Sequence, residues 1–393
     1  MAQPFLVLPN GECPVPERSE WYGAINNIPM KNLALPIAIL AALLASTQLI
    51  AHYSYAQVSD KEAMYYNKLD KRKVQCVLCP RRCIIPDGKR GFCRVRENRK
   101  GTLYSLSYGR PVAVHVDPVE KKPLFHVLPG SKSFSIATAG CNLSCKFCQN
   151  WEISQVSPED INAKYVSAQE IVELAKKSGS KTIAYTYTEP TIFFEYALDI
   201  AKLAHTLGLK NVMHTAGFIN EEPLKEICKY IDAANVDLKG SDKFYEEICL
   251  GNRNDVLNTL KVLKEEGVWL EITYLVVPTL NDDQEYVKNT SKWIKENLGP
   301  DVPLHISRFW PTYKLNSLSP TPVSTLEQAR QTALEAGLKY VYVGNVSGNE
   351  AQNTYCPNCK KPVMERVGYT VLSDNIVGGK CKYCGEKIEG VWE

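Results

Sequence analysis

Eleven of the fourteen cysteines in this 393-residue chain fall into three tight groups. The first is Cys76-x2-Cys79-x3-Cys83-x9-Cys93. The second is Cys141-x3-Cys145-x2-Cys148. The third is the pair Cys356-x2-Cys359 and the pair Cys381-x2-Cys384, with 21 residues between them. Short intervals between thiols suit loops that converge on a metal; a framework of disulfides does not need them. The middle group has three thiols, and that number matters. A structural zinc or an electron-transfer 4Fe-4S cluster normally takes four protein ligands. Three leave one iron open, and an open coordination position marks a site of chemistry. The outer groups have four thiols each, which closes a coordination sphere and makes a structural role the default.

The third group has zinc-ribbon spacing. A rubredoxin-like iron or an auxiliary iron–sulfur cluster fits it too, because spacing does not choose the metal. The first group fits structural zinc or an iron–sulfur cluster, with Asp87-Gly88 supplying a turn between ligands. It lies among Arg81, Arg82, Lys89 and Arg90, which form a solvated face or a landing site for an acidic partner. Cys13, Cys228 and Cys249 belong to no motif.

The elements that position the middle group are legible. Strand-like runs at 133–139, 182–187, 211–215, 233–238, 268–276 and 303–307 alternate with helix-like segments at 168–178, 191–207, 221–230, 253–266 and 283–297, and near 325–336. The helix at 168 opens on a capping box, Ser167 with Glu170, and sets Ile171, Leu174 and Ala175 on one face. Ser324 with Glu327 predicts a similar start for the last helix. Six strand–helix alternations predict an α/β fold with a parallel sheet, a partial (β/α)6 barrel of the TIM type. A Rossmann sheet is excluded in favour of it by the lack of a Gly-x-Gly-x-x-Gly after the first strand. In such barrels function gathers at the carboxy-terminal strand ends. The cysteine loop, Thr188-Glu189-Pro190, His214-Thr215-Ala216-Gly217, Asp237-Leu238-Lys239-Gly240 and His305 then face one cleft.

The loop GCNLSCKFCQN at 140–150, with an aromatic residue, Phe147, before its last cysteine, resembles the signature of the radical S-adenosylmethionine (SAM) superfamily. The resemblance spans about residues 130–345. It implies that Cys141, Cys145 and Cys148 hold a 4Fe-4S cluster. It also implies that SAM chelates the open iron, and that a 5′-deoxyadenosyl radical takes hydrogen from a substrate. Within the superfamily the chain is similar to activating enzymes of the pyruvate formate-lyase type. Glu189-Pro190 resembles their Gly-Gly-Glu-Pro segment, with Tyr187 and Thr188 in place of the glycines. Asp237 and Lys239 match their Asp-x-Lys. Phe147, Glu189, Asp237, Lys239 and His305 are thereby implied to approach SAM, whereas His214 stands where those enzymes have an acidic residue. Each has a plainer reading: a helix-start carboxylate for Glu189, an ion pair for Asp237 and Lys239, a hydrogen-bonded core histidine for His305. The leading segment VQCVLCPRRCIIPDGKRGFCRVR, the cysteine loop, TYTEP, DLKG and the trailing ribbon together resemble the AmmeMemoRadiSam-system enzymes over about residues 70–390.

The expected domains are a leading extension, 1–56; a four-cysteine module, 57–130; the barrel, 131–345; and a zinc-ribbon-like module, 346–393. Net charge is +3, so composition makes no case for a nucleic-acid partner. Residues 33–51 are uncharged and, as a helix, would reach about 28 Å. They read as a membrane anchor with the catalytic body facing the cytoplasm, given the lysines and arginines that follow. They also read as an export signal starting at Met30 and cleaved after Ser54-Tyr55-Ala56. The functional expectation is a radical SAM enzyme with a protein or peptide substrate and a low-potential electron donor. The rival classes are a membrane-tethered iron–sulfur electron carrier and a zinc-scaffold binding protein.

Overall fold

The computed structural model describes residues 61–393, which belong to one compact unit. The apolar run at 33–51 and the reading of a cleavage site at 54–56 lie outside the described residues. Among the described residues no helix is long and apolar enough to cross a membrane.

The centre is an eight-stranded sheet in sequence order: β1 (Pro111–Pro118), β2 (Lys132–Thr138), β3 (Thr182–Tyr185), β4 (Lys210–Thr215), β5 (Ala233–Asp237), β6 (Trp269–Val276), β7 (Leu304–Arg308) and β8 (Val341–Gly344). Strands β2 to β8 are parallel, and β1 is antiparallel to β2. The sequence therefore counts one parallel strand too few and misses the antiparallel edge. The edge strand is bounded by Pro111 and Pro118, a composition that masks a strand but is tolerated where one side needs no ladder partner. Val114 and Val116 point into solvent there. Strand β8 is only four residues long.

Six helices link the parallel strands: α1 (Ala168–Lys177), α2 (Phe194–Thr206), α3 (Glu221–Cys228), α4 (Arg253–Glu265), α5 (Gln284–Asn297) and α6 (Val323–Glu335). Their apolar stripes and one face of the sheet form the main core, with Ile136, Ile183, Val236, Ile272 and Ile306 on the strands. Helix α1 opens as expected: Ser167 Oγ accepts from Glu170 N at 3.2 Å and Glu170 Oε2 accepts from Ser167 N at 2.7 Å. Its buried stripe is Ala168, Ile171, Val172 and Ala175, and Leu174 is exposed rather than inward. Helix α6 starts one residue before Ser324, after Pro322, and no side chain caps it. The fixed φ of proline presets the first turn there, so the expected capping box is not used.

The opposite face of the sheet carries small residues, Ala184, Val212 and Ala233, against which Val119, Leu124, Val127 and Leu128 pack. One carboxylate bolts this covering segment down: Glu271 accepts from Phe125 N at 3.0 Å and His126 N at 2.8 Å. The leading region, two small three-stranded sheets, is tied to α2 by a buried pair, Arg96 and Glu195 at 2.8 Å. The trailing region docks on the covering segment. Arg366 donates to the Phe125 carbonyl at 2.7 Å, and Val391 N donates to the His126 carbonyl at 2.7 Å.

His126 is the centre of that docking. One ring nitrogen is 2.6 Å from the Glu389 carbonyl, so it carries the proton; the other is 2.6 Å from the Tyr342 hydroxyl and accepts from it. Burial drives its pKa down to about 4. Between about pH 6.5 and 4 the unfolded chain takes a proton that the folded one refuses, so stability falls with pH across that window, by about 3 kcal/mol in all. The thermal midpoint should drop accordingly on acidification. His126→Gln should start lower at pH 7 and lose less between pH 6.5 and 4.

Candidate active site

The cysteine loop leaves the carboxy-terminal end of β2. Gly140 makes the turn at φ +95°, and a Cβ there would stand 2.6 Å from the Cys93 carbonyl oxygen. No side chain fits, which brings the backbone of the leading region against the loop. Backbone bonds then pin the loop: Ser144 N donates to the Cys249 carbonyl at 3.0 Å, and Lys146 N to the Ile248 carbonyl at 2.9 Å. The Asn142 amide donates to the Phe218 carbonyl at 2.7 Å.

Sulfur is met by donors. Leu143 N lies 3.4 Å from Cys141 Sγ, Ser154 Oγ lies 3.2 Å from Cys148 Sγ, and Asn150 N also faces Cys148. Burial, then the nearby Glu189, hold the Cys141 thiol well above its ordinary range, and burial raises Cys148. Cys145 is lowered, first by a hydrogen bond from Cys249 and then by Lys239. Metal binding here must release protons from the raised thiols.

The spread of the sulfurs separates the cysteine groups. In the trailing group the four Sγ atoms all lie within 4.8 Å of one another, with Cys356–Cys384 at 3.5 Å and Cys359–Cys381 at 3.7 Å. Those are the edges of a tetrahedron around one ion with metal–sulfur bonds of about 2.3 Å. Among the described residues no three of the other cysteines gather so closely. Cys141, Cys145 and Cys148 line one loop, with Cys145 buried and the other two partly buried.

Next to this loop Asp237 bonds Lys239 Nζ at 2.8 Å and His214 Nε2 at 3.1 Å. Burial would raise Asp237, but Lys239 and His214 outweigh it and hold the carboxyl well below its usual range. Burial likewise opposes the charge on Lys239, and Asp237 with the Cys145 and Cys249 sulfurs overcomes it. The ammonium lies 5.8 Å from the centre of the Phe147 ring, so loop and ion pair form one patch. Asp237 is partly exposed there and Lys239 nearly buried.

Glu189 is placed differently. It is fully buried, and its carboxylate accepts from Thr191 N, Thr191 Oγ1, Thr215 Oγ1 and Ala216 N at 2.7–3.1 Å. Both oxygens are engaged within the protein, so it caps the turn at Pro190–Phe193 and ties the loops after β3 and β4 together. His305 shares a hydrogen-bonded row with Asp237 and Thr273 but is committed elsewhere: Nε2 is 2.6 Å from Glu271, and the ring packs against Phe125 and Tyr342. Both residues thus make the contacts their plainer readings describe, a helix-start carboxylate and a hydrogen-bonded core histidine. Tyr187 sits at φ +62°, a backbone conformation glycine adopts freely, so the loop keeps the shape a glycine would allow. Asn150 holds its carbonyl at 2.7 Å, and its hydroxyl bonds Asp117. Cys249, Asn142 and Ser154 escaped the sequence reading. Asn142 lay inside the motif; nothing local marks Cys249, whose place depends on the pairing of 248–249 with 144–146.

Residues 135–290 match the Radical SAM superfamily. An uncharacterized protein of Methanocaldococcus jannaschii is 46% identical over 331 residues, covering 84% of this chain and 99% of that one. The chain belongs to the radical SAM superfamily. This radical SAM enzyme is also 26% identical to the pyruvate formate-lyase-activating enzyme of Clostridium pasteurianum over 163 residues, 40% of this chain and 66% of that one. The 4-hydroxyphenylacetate decarboxylase activating enzyme of Clostridium scatologenes is 23% identical over 166 residues, 39% of this chain and 53% of that one. Membership implies a 4Fe-4S cluster and SAM, and three thiols flanked by donors beside a partly exposed ion pair fit both.

Gly140→Ala should break the site without touching a ligand. The strained φ and the clash with Cys93 should cost about 1–3 kcal/mol. Iron bound after anaerobic reconstitution should fall to half or less of the parent value, read by colorimetric iron assay.

Proposed function

We propose that this chain cleaves SAM reductively at a cluster held by Cys141, Cys145 and Cys148 and directs the resulting radical at a protein or peptide substrate. The observation that supports this most is the set of three thiols at the end of the first parallel strand, flanked by the Asp237–Lys239 pair. Such a cluster, when bound, supplies the electron that splits SAM into methionine and a 5′-deoxyadenosyl radical. The chain's own residues do the rest. Phe147 walls the cluster side. Lys239 offers a cation to a carboxylate, and Asp237 an acceptor to hydroxyl or ammonium donors. Glu189 supports the loops beneath without touching the cofactor. We read the sequential, open strand order as a partial barrel whose loops at one end frame the cleft. The relatives named as activating enzymes support a protein substrate, and a low-potential one-electron donor is required. Cys249 faces Cys145 and is assigned a supporting role rather than a fourth bond to iron.

The test is anaerobic incubation of reconstituted protein with dithionite and SAM, with 5′-deoxyadenosine measured by chromatography. The parent should form it, and Cys145→Ala should form none. Cys249→Ala should keep its iron and still form product; loss of its iron would make Cys249 a ligand and close the open position. A well-formed cluster with no 5′-deoxyadenosine would turn the reading to an electron carrier. Lys239→Ala should weaken SAM binding about 10- to 100-fold, the range of a lost charge-assisted bond.

We also propose zinc at Cys356, Cys359, Cys381 and Cys384, where it would stand in for a hydrophobic core that so small a region lacks. Cys381→Ser should remove one zinc per chain by mass spectrometry. It should also expose the trailing region to limited proteolysis while 5′-deoxyadenosine formation persists.

A further inference from the structure

The leading four cysteines line a single pocket together with Arg81, Arg96, Ile85, Gly91 and Asn142. Burial raises the Cys76, Cys79 and Cys93 thiols, and the backbone N–H groups of Leu78, Arg81 and Val95, each two residues along the chain, oppose that rise. The same device faces Cys141 and Cys148. Amides aimed at sulfur favour the anionic, metal-bound thiolate over the thiol.

Two observations distinguish a cluster from a single ion. The trailing cysteines are already drawn into a tetrahedron, whereas no three of Cys76, Cys79, Cys83 and Cys93 come within 4.8 Å of one another. They line the wall of a pocket instead. Second, the pocket holds an unsatisfied donor. Arg96 is 1% exposed, its terminal nitrogens are taken by Glu195, and its Nε has no hydrogen-bond partner among the described residues. A buried guanidinium N–H without a partner is costly unless an acceptor completes it. Bridging sulfides would provide such acceptors inside the pocket, in addition to the ligand thiolates.

We propose that Cys76, Cys79, Cys83 and Cys93 bind a second 4Fe-4S cluster, with Arg96 Nε donating to its sulfur. Arg81 links this pocket to the other site: its Nε donates to the Asn142 carbonyl, next to Cys141, at 2.5 Å, and its charge acts on Cys79, Cys83, Cys93 and Cys141. The Asn142 amide also faces Cys79, and the Cys93 carbonyl abuts Gly140. The two centres are neighbours across one layer of backbone.

The experiment compares the full-length parent, a variant with Cys141, Cys145 and Cys148 all replaced by alanine, and the double variant C79A/C83A. All are reconstituted anaerobically with ferrous iron and sulfide and assayed for iron, sulfide and zinc, with electron paramagnetic resonance after dithionite. The triple variant should retain about four irons and four sulfides and a reduced-cluster signal. The double variant should lose that set and keep its capacity to form 5′-deoxyadenosine or, at the least, the iron of the other site. A triple variant free of iron, whether it holds a second zinc or no metal there, overturns the proposal. Iron retained equally by the parent and the triple variant would instead sink the assignment of Cys141, Cys145 and Cys148 and leave this one standing.

Discussion

A buried thiolate is tolerable only where donors face it, because moving an anion out of water costs far more than a neutral group. Much of the active end of this protein follows from that constraint. The cysteine loop cannot be a free excursion from β2, since its amides must point inward at sulfur. Its outer edge is therefore paired with residues 248–249, its first turn is pressed against the Cys93 carbonyl, and Asn142 anchors it to the loop after β4. The glycine at 140 is the local consequence: the approach leaves no room for a Cβ.

The same accounting explains the charged residues. Lys239 stays cationic in a nearly buried place because Asp237 and the sulfurs surround it. Asp237 stays anionic because Lys239 and His214 flank it. Neither would be stable alone, and together they set a fixed dipole beside the loop. Glu189 solves a different problem with the same currency of donors. Four protein groups saturate its oxygens, so the loops after β3 and β4 move as one piece.

What could be read from residue order was whatever is local. A capping box at Ser167 and strand–helix alternation are patterns within a dozen residues, and these survive in the structure; the three-cysteine loop is likewise local and leaves the end of β2. Edge strand β1 was hidden because prolines bound it. The engagement of Glu189 with Thr215 and Ala216, and of Cys249 with Cys145, depends on loops that only the folded sheet brings together. Tyr187 shows a subtler loss: the residue type argued against a glycine-like turn, yet Asn150 and Asp117 hold it in that conformation.

His305 stands in the same row as Asp237 and is engaged within the protein. Its strand neighbour Glu271 is a buried carboxylate that must find donors, and the sheet offers only a few. Phe125 N, His126 N and Trp269 Nε1 supply three, and His305 supplies the fourth. Burial would raise Glu271, yet His305 and its other partners hold the carboxyl below its usual range. Glu271 is one of the ties that hold the segment 119–130 on this face, beside its apolar packing and the bond from Asn235 to the Pro123 carbonyl, and the trailing region docks on the segment through Phe125 and His126. Turning His305 toward a ligand would leave Glu271 short of a donor and loosen both. The amino-terminal half of the sheet's inner face is thus spent on holding the molecule together, and the exposed chemistry is confined to the loops beyond the carboxy-terminal strand ends.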